Sequence, residues 1–258
     1  MDSTVIVNEG AVAQVMINRP QALNALNADV LQGLILAFER LQRNSAVRVV
    51  TLWGAGTEAF SAGMDVAAIV DLGPRPIADY VELGQRAMRA LETCPVPVIA
   101  AVNGYAFGAG LELALACDLI VAAQGARFGL PEAGLGVLPI FGGMQRLLSR
   151  CGAAVTRRMV YTAELIDTAE ALRIGLVDVL APSGRLSEET TALADKISKQ
   201  APQAVSRAKS ILRVAEEVEL LAGLRREVEV FLSLYNTYDR EEGMRAFMQK
   251  RTPEFRGC

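Results

Sequence analysis

No histidine occurs anywhere in the 258 residues. That single absence excludes Ser-His-Asp and Cys-His nucleophilic catalysis, histidine general bases and histidine metal ligands together. Any acid–base chemistry must fall to Asp, Glu, Lys, Tyr or Cys. Lysine is almost as scarce: Lys196, Lys199, Lys209 and Lys250 are the full set, all late in the chain. The four cysteines, Cys94, Cys117, Cys151 and Cys258, are far apart and form no CxxC pair. That spacing argues against zinc and fits reduced thiols in a cytoplasmic protein. A strong charge of either sign is also missing. The net charge of −3 and a pI near 5.3 give no broad basic surface for nucleic acid.

Long hydrophobic runs are absent too. A membrane span needs about 20 apolar residues, and the best candidate, around 95–123, is broken by Pro95, Pro97, Asn103, Gly104, Glu112 and Asp118. The opening "MDSTVIVNEG" shows no basic stretch followed by an apolar one, so no signal peptide is expected. What is present is a globular composition, 52% hydrophobic against 21% charged. The length suits one large α/β domain, or one domain with an appended piece.

The local patterns alternate. "TVIVNEGAVAQVMIN" reads as two strands around a turn at Glu9-Gly10. "NADVLQGLILAFERLQRN" reads as a helix capped by Asn27, with a stripe at Val30, Leu31, Leu34, Ala37, Phe38 and Leu41. A strand "VRVVTLWG", a helix "RPIADYVELGQRAMRALETC", a buried strand "VPVIAAVNG", a helix from about Gly108 to Cys117 and a strand "DLIVAA" follow. "GARFGLPEAGLGVLPIFGG" reads as a loop-rich segment. From about Ser187 the pattern turns wholly helical, through "SEETTALADKISKQ", the long run 201–236 and "DREEGMRAFMQKR". Strand–helix alternation predicts βα or ββα units.

Two segments look like sites. "AFSAGMD" is a small-residue turn beyond a strand, and "NGYAFGAGLE" is a turn leading into a helix. Both can expose backbone N–H groups, and two converging donors make an oxyanion hole. The alternative is that the glycines only permit tight turns. A dinucleotide loop is excluded, because Gly108 and Gly110 are followed by Leu113 where the third glycine should stand. Glu112 lies early in a helix that is apolar in nearly every direction. A carboxylate buried there has a raised pKa unless donors hold its charge, which suits a general acid or base. A salt-bridged or surface glutamate is the competing reading. Glu132, in "FGLPEAGLG", sits on a constrained loop and gains meaning only as the second of a pair.

Taken together, "INRPQALNALN", "AFSAGMDV", "PVIAAVNGYAFGAGLELALACD", "FGLPEAGLGVLPIFGGMQRL", "EALRIGLVDVL" and "EEGMRAFMQKRTPEF" resemble the crotonase superfamily, the enoyl-CoA hydratase/isomerase family. The resemblance covers nearly the whole chain. It implies an α/β spiral of repeated ββα units over residues 1–195, with a helical region over 196–258 used for assembly into trimers or hexamers. It implies an acyl-CoA thioester whose carbonyl oxygen is held by the N–H groups of Met64 and Ala109. Relatives often carry Gly at the second position, so Ala109 is tolerated only where φ need not be positive. It also implies that Glu112 activates water and Glu132 supplies the α-proton, giving a 3-hydroxyacyl-CoA from a 2-enoyl-CoA. The competing implications are another crotonase reaction, such as double-bond isomerisation or hydration of cyclic or branched enoyl-CoA, and a silent acyl-CoA-binding scaffold.

By the same resemblance, coenzyme A would lie along Gln21, Ala22, Leu23, Ala62, Asp65, Val66 and Ala67, as part of the substrate rather than a separate cofactor. Lys250 would reach its phosphate, often from a neighbouring subunit, with Phe247 close by. No metal is implied, nor any nucleic-acid or membrane partner. One departure stands out: Ile140 and Phe141 fill positions where typical hydratases carry small residues, which reshapes the acyl pocket. The Ile140 N–H would remain available to the water.

Overall fold

The first elements form where the alternation is cleanest. Strand β1 (Val5–Asn8) pairs antiparallel with β2 (Val12–Ile17) around the expected turn. Ala13, Val15 and Ile17 are buried and the residues between them are not, the period-2 signature of a half-covered strand. Helix α1 (Ala28–Leu41) starts at Asn27, whose side chain accepts the Val30 N–H at 3.0 Å. Such a cap is worth about 1 kcal/mol. The whole expected stripe of α1 is buried, with Ile35 added. These are features of a computed structural model, which describes residues 3–200, 202–210, 212–213, 228, 231–232 and 235–254.

Strands β3 (Val49–Gly54), β5 (Val98–Val102), β7 (Leu119–Ala123) and β10 (Val179–Ala181) extend the hairpin into a six-stranded sheet. Its order is β1-β2-β3-β5-β7-β10, parallel beyond the first pair. Parallel strands covered on both faces read as continuous apolar runs, as "VIAAV" does. Alternate residues still choose sides. Val98, Ala100 and Val102 join the main core with α1 and with α3 (Pro74–Glu92). Ile99 and Ala101 join Leu186 and Ala194 of α7 (Leu186–Ser198) on the opposite face.

A second, four-stranded sheet positions the site. It holds β4 (Ala59–Ser61), β6 (Tyr105–Phe107), β8 (Arg127–Gly129) and β9 (Ile166–Asp167) in that order. β4, β6 and β8 are mutually parallel. Each is reached directly from a strand of the larger sheet, β3, β5 and β7 respectively. Helical structure follows each: α2 (Val66–Ile69) and α3 after β4, α4 (Ala109–Leu115) after β6, and a 3₁₀ turn (Pro131–Leu135) with α5 (Gly143–Thr162) after β8. These are the expected ββα units. Three segments read as turn or loop correct that reading. "AFSAGMD" contains β4, "NGYAF" contains β6, and "GARFGLPEAGLG" contains β8 and the 3₁₀ turn.

α6 (Thr168–Arg173) leads on to β10, and α7 runs where a helix was expected. The helix Tyr238–Met248 also falls where expected. Of the long run 201–236, residues 202–210 are helical and most of the remainder lies outside the described residues, as does Cys258. Lys209 ties that helical stretch to the core, donating to Asp118 at 2.7 Å and to the Val96 carbonyl at 3.1 Å. Among the described residues, no helix is long and apolar enough to cross a membrane.

Candidate active site

Parallel neighbours β4, β6 and β8 end side by side, so the segments leaving them converge. The segment after β4 carries Met64, the one after β6 carries Ala109 and Glu112, and the one after β8 carries Glu132.

Met64 is aimed by a bridge to Leu26. The Leu26 N–H donates to the Gly63 carbonyl at 2.8 Å, and the Asp65 N–H donates to the Leu26 carbonyl at 3.2 Å. In a parallel bridge of this kind the central residue's own N–H points away from its partner. Gly63 has φ +104°, and a methyl there would lie 2.8 Å from the Phe107 carbonyl and 3.4 Å from the Ala109 nitrogen. The Met64 turn is therefore pressed against the start of α4. Ala109 is the first residue of that helix, where an N–H has no carbonyl one turn earlier to bind. The left-handed φ falls on Gly108, at +50°, so the methyl of Ala109 meets no backbone penalty.

Gly108 also touches both glutamates. Its carbonyl accepts the Glu112 N–H at 3.0 Å, and a methyl on it would lie 2.8 Å from Glu132 Oε1. Glu112 is 0% exposed and Glu132 is 3% exposed. The surface reading of Glu112 is thus excluded, and no salt bridge to it is found among the described residues. Its Oε1 accepts the N–H groups of Phe141 at 2.8 Å and Gly143 at 2.7 Å. Its Oε2 is buried with no hydrogen-bond partner among the described residues. Burial pushes the Glu112 carboxyl up to about 7, against the opposing pull of the Gly143 N–H, Arg146, and the Phe141 and Ile140 N–H groups. A carboxyl poised near neutrality, with one oxygen fixed and the other open, is suited to take a proton from water.

The remaining expected residues fall into three groups. Gln21, Ala22 and Leu23 form a 3₁₀ turn and its cap, and the Leu23 carbonyl accepts the Ala62 N–H at 2.9 Å. That bond stitches the turn to Ala62, Asp65, Val66 and Ala67. Asp65 caps α2 and pairs with Arg19 at 3.0 Å, so its side chain is engaged within the chain. Ile140 and Phe141 are fully buried beside Glu112. Phe247, 57% exposed, and Lys250, also exposed, stand at the end of the helix Tyr238–Met248. That helix packs on the turn that carries Glu132, with Asp239 against Gly136 and Gly243 against Leu135.

Three residues of the site escaped the sequence reading. Tyr80 of α3 donates to the Leu26 carbonyl at 2.5 Å and so braces the bridge that aims Met64. Asn24, fully buried, donates to the carbonyls of Ala55 and Ala59 at 2.9 and 2.8 Å and holds β4 to the first turn. Arg146 supports the Phe141 carbonyl at 2.6 Å. A polar residue within an apolar helical stripe was the available signal for Tyr80. Nothing in the local pattern marks the other two. The described cysteines take no part: burial pushes the thiols of Cys94, Cys117 and Cys151 up, away from the reactive thiolate. Among the described residues, no three His, Cys, Asp or Glu side chains cluster as a metal site requires.

A family model described as enoyl-CoA hydratase/isomerase matches residues 7–258. The chain belongs to this family. It is 39% identical to the short-chain-enoyl-CoA hydratase of Clostridium acetobutylicum, over 98% of this chain and 97% of that one. It is likewise 39% identical to the 2,3-dehydroadipyl-CoA hydratase of Escherichia coli, over 100% of both. A crystal structure of an enoyl-CoA hydratase from Mycobacterium avium subsp. paratuberculosis superposes with a TM-score of 0.90, at 31% identity over 98% of each chain. Within the enoyl-CoA hydratase/isomerase family, the convergence of Met64, Ala109, Glu112 and Glu132 is the feature with chemical meaning.

Proposed function

We propose that this protein is an enoyl-CoA hydratase acting on short 2-enoyl-CoA thioesters. The observation that carries the reading is a pair of buried glutamates that both contact Gly108, next to two aimed N–H groups. The thioester oxygen is bound by the Met64 and Ala109 N–H groups, which stabilise the negative charge that grows there. Glu112 Oε2 accepts a proton from water as the water oxygen bonds to C3. Glu132 delivers a proton to C2, and the thioester carbonyl re-forms. One water is consumed: its OH goes to C3, its proton goes to Glu112 and the C2 proton comes from Glu132, and return of one proton from Glu112 to Glu132, directly or through solvent, restores the starting site. Coenzyme A lies along the stitched Gln21–Leu23 and Ala62–Ala67 segments, with Phe247 and Lys250 serving its phosphate end. Residues 196–258 assemble copies of the chain into trimers or hexamers in the cytoplasm, where the buried thiols of Cys94 and Cys117 stay reduced.

Short acyl chains follow from Phe141. Its ring fills the space over Gly84 of α3, where an added methyl would lie 2.2 Å from it, and packs 5.8 Å from the Tyr80 ring. The space between the turn that holds Glu112 and Gly84 of α3 is therefore occupied by protein. The names of relatives that act on short-chain and crotonyl-CoA substrates support this reading. Turnover of straight, branched and cyclic enoyl-CoA esters tests it. The wild type should prefer the four-carbon ester. Phe141→Leu should raise the eight-carbon to four-carbon ratio of kcat/KM by about tenfold or more, since each buried CH₂ is worth about 0.8 kcal/mol. A wild type that turns over none of the esters while binding them would contradict the hydratase reading.

A further inference from the structure

Arg146 sits on α5, three residues beyond Gly143, and is only 8% exposed. Its Nε donates to Glu92 Oε1 at 2.6 Å, and its Nη1 donates to the Phe141 carbonyl at 2.6 Å. Phe141 is the residue whose own N–H donates to Glu112. A planar guanidinium can hold both partners at fixed angles, which an ammonium cannot. Desolvating the cation is costly, and one ion pair seldom recovers that cost. A stability role alone is therefore a poor account of its placement.

We propose that Arg146 is a positioning residue for Glu112, clamping the turn whose N–H groups hold that carboxylate. The proposal rests on the hydratase reading of the site. The charge of Arg146 acts in the same sense as the clamp, opposing the burial that raises the proton affinity of Glu112. Glu112 is faced by Arg146 from α5, by Tyr80 from α3 and by the N–H groups of Ile140, Phe141 and Gly143, and Glu132 lies against Gly108, whose carbonyl holds the Glu112 N–H. Arg146 is faced by Glu92, which it shares with Arg89.

Arg146 also borders a cavity of about 1010 Å³ at the far end of α4, lined by Leu115, Asp118, Arg150 and Lys209 among others. A shortened side chain at 146 would open onto that space, giving small cations a route to the turn.

The test is kcat and KM for crotonyl-CoA across a pH series, with Arg146→Gln, Arg146→Lys and Arg146→Ala. Because Glu112 must be ionised to take a proton, losing the cation should move the acidic limb of kcat upward by about one pH unit. At neutral pH, R146Q should lower kcat about tenfold or more and leave KM within about threefold. On a Glu112→Gln background R146Q should cost less than about twofold further, since the two act as one unit. Low millimolar guanidinium should restore activity to R146A. If R146Q does not fold, R146K carries the test: the charge remains, so the limb stays put while kcat still falls. An active wild type whose variants keep its pH profile, with R146Q and E112Q effects fully additive, overturns the proposal. A wild type without turnover contradicts the hydratase reading instead.

Discussion

Replacing Glu132 or Glu112 by Gln should each lower kcat for crotonyl-CoA hydration by about 10²–10⁴-fold. KM should stay within a few-fold, because on the proposed mechanism the thioester is held by backbone N–H groups and the coenzyme by a separate face. Glutamine is nearly isosteric with glutamate but neither delivers an acid proton at neutral pH nor takes one from water. The burial of both side chains, and the N–H donors fixing Glu112 Oε1, leave little room for a substitute group to move in. The double variant should be little slower than either single one, because residues that act as a unit are strongly non-additive. The measurement is the loss of enoyl-thioester absorbance under saturating substrate. Independent, multiplicative losses would mean that the two carboxylates do not share one step.

The second large effect concerns stability and carries the opposite sign. Glu112 in the folded chain holds its proton up to about 7, whereas the unfolded chain releases it near 4.5. Between those values the folded state binds more protons, so stability falls as pH rises. The favourable contribution is complete below 4.5 and lost by about 7. A gap of that size corresponds to about 3 kcal/mol, taking 1.36 kcal/mol for each pH unit. The Glu112→Gln variant should therefore melt above the wild type at alkaline pH, and the difference should vanish near pH 4.5. Its amide oxygen can still accept the Phe141 and Gly143 N–H groups. Calorimetry at the two pH values checks this, and a variant less stable than wild type at alkaline pH would contradict it. A catalytic group that destabilises its own fold is the expected signature of a functional carboxylate.

The larger sheet was legible because its chemistry is local. "VRVVTLWG", "VPVIAAVNG" and "DLIVAA" are apolar runs of strand length, and Asn27 announced α1. The smaller sheet was not. β4, β6 and β8 have three residues each, too short to display a period of two. Their pairing is fixed by the larger sheet beneath them, a tertiary constraint that no window of sequence contains. The same contrast holds at the site. Glu112 was visible because a charge in an apolar helix demands a reason. Arg146 was not, because an arginine on an amphipathic helix looks ordinary until its carbonyl partner is known. The meaning of Ala109 depended on φ at its neighbour, which only the folded backbone supplies.

Crotonyl-CoA turned over in oxygen-18 water, with the product identified by mass, tests the central claim most directly. The wild type should give 3-hydroxybutyryl-CoA carrying the heavy oxygen at C3, and Glu112→Gln should give almost none. An unlabelled product with a shifted double bond, or equal labelling by the wild type and E112Q, would contradict the assignment of water to Glu112.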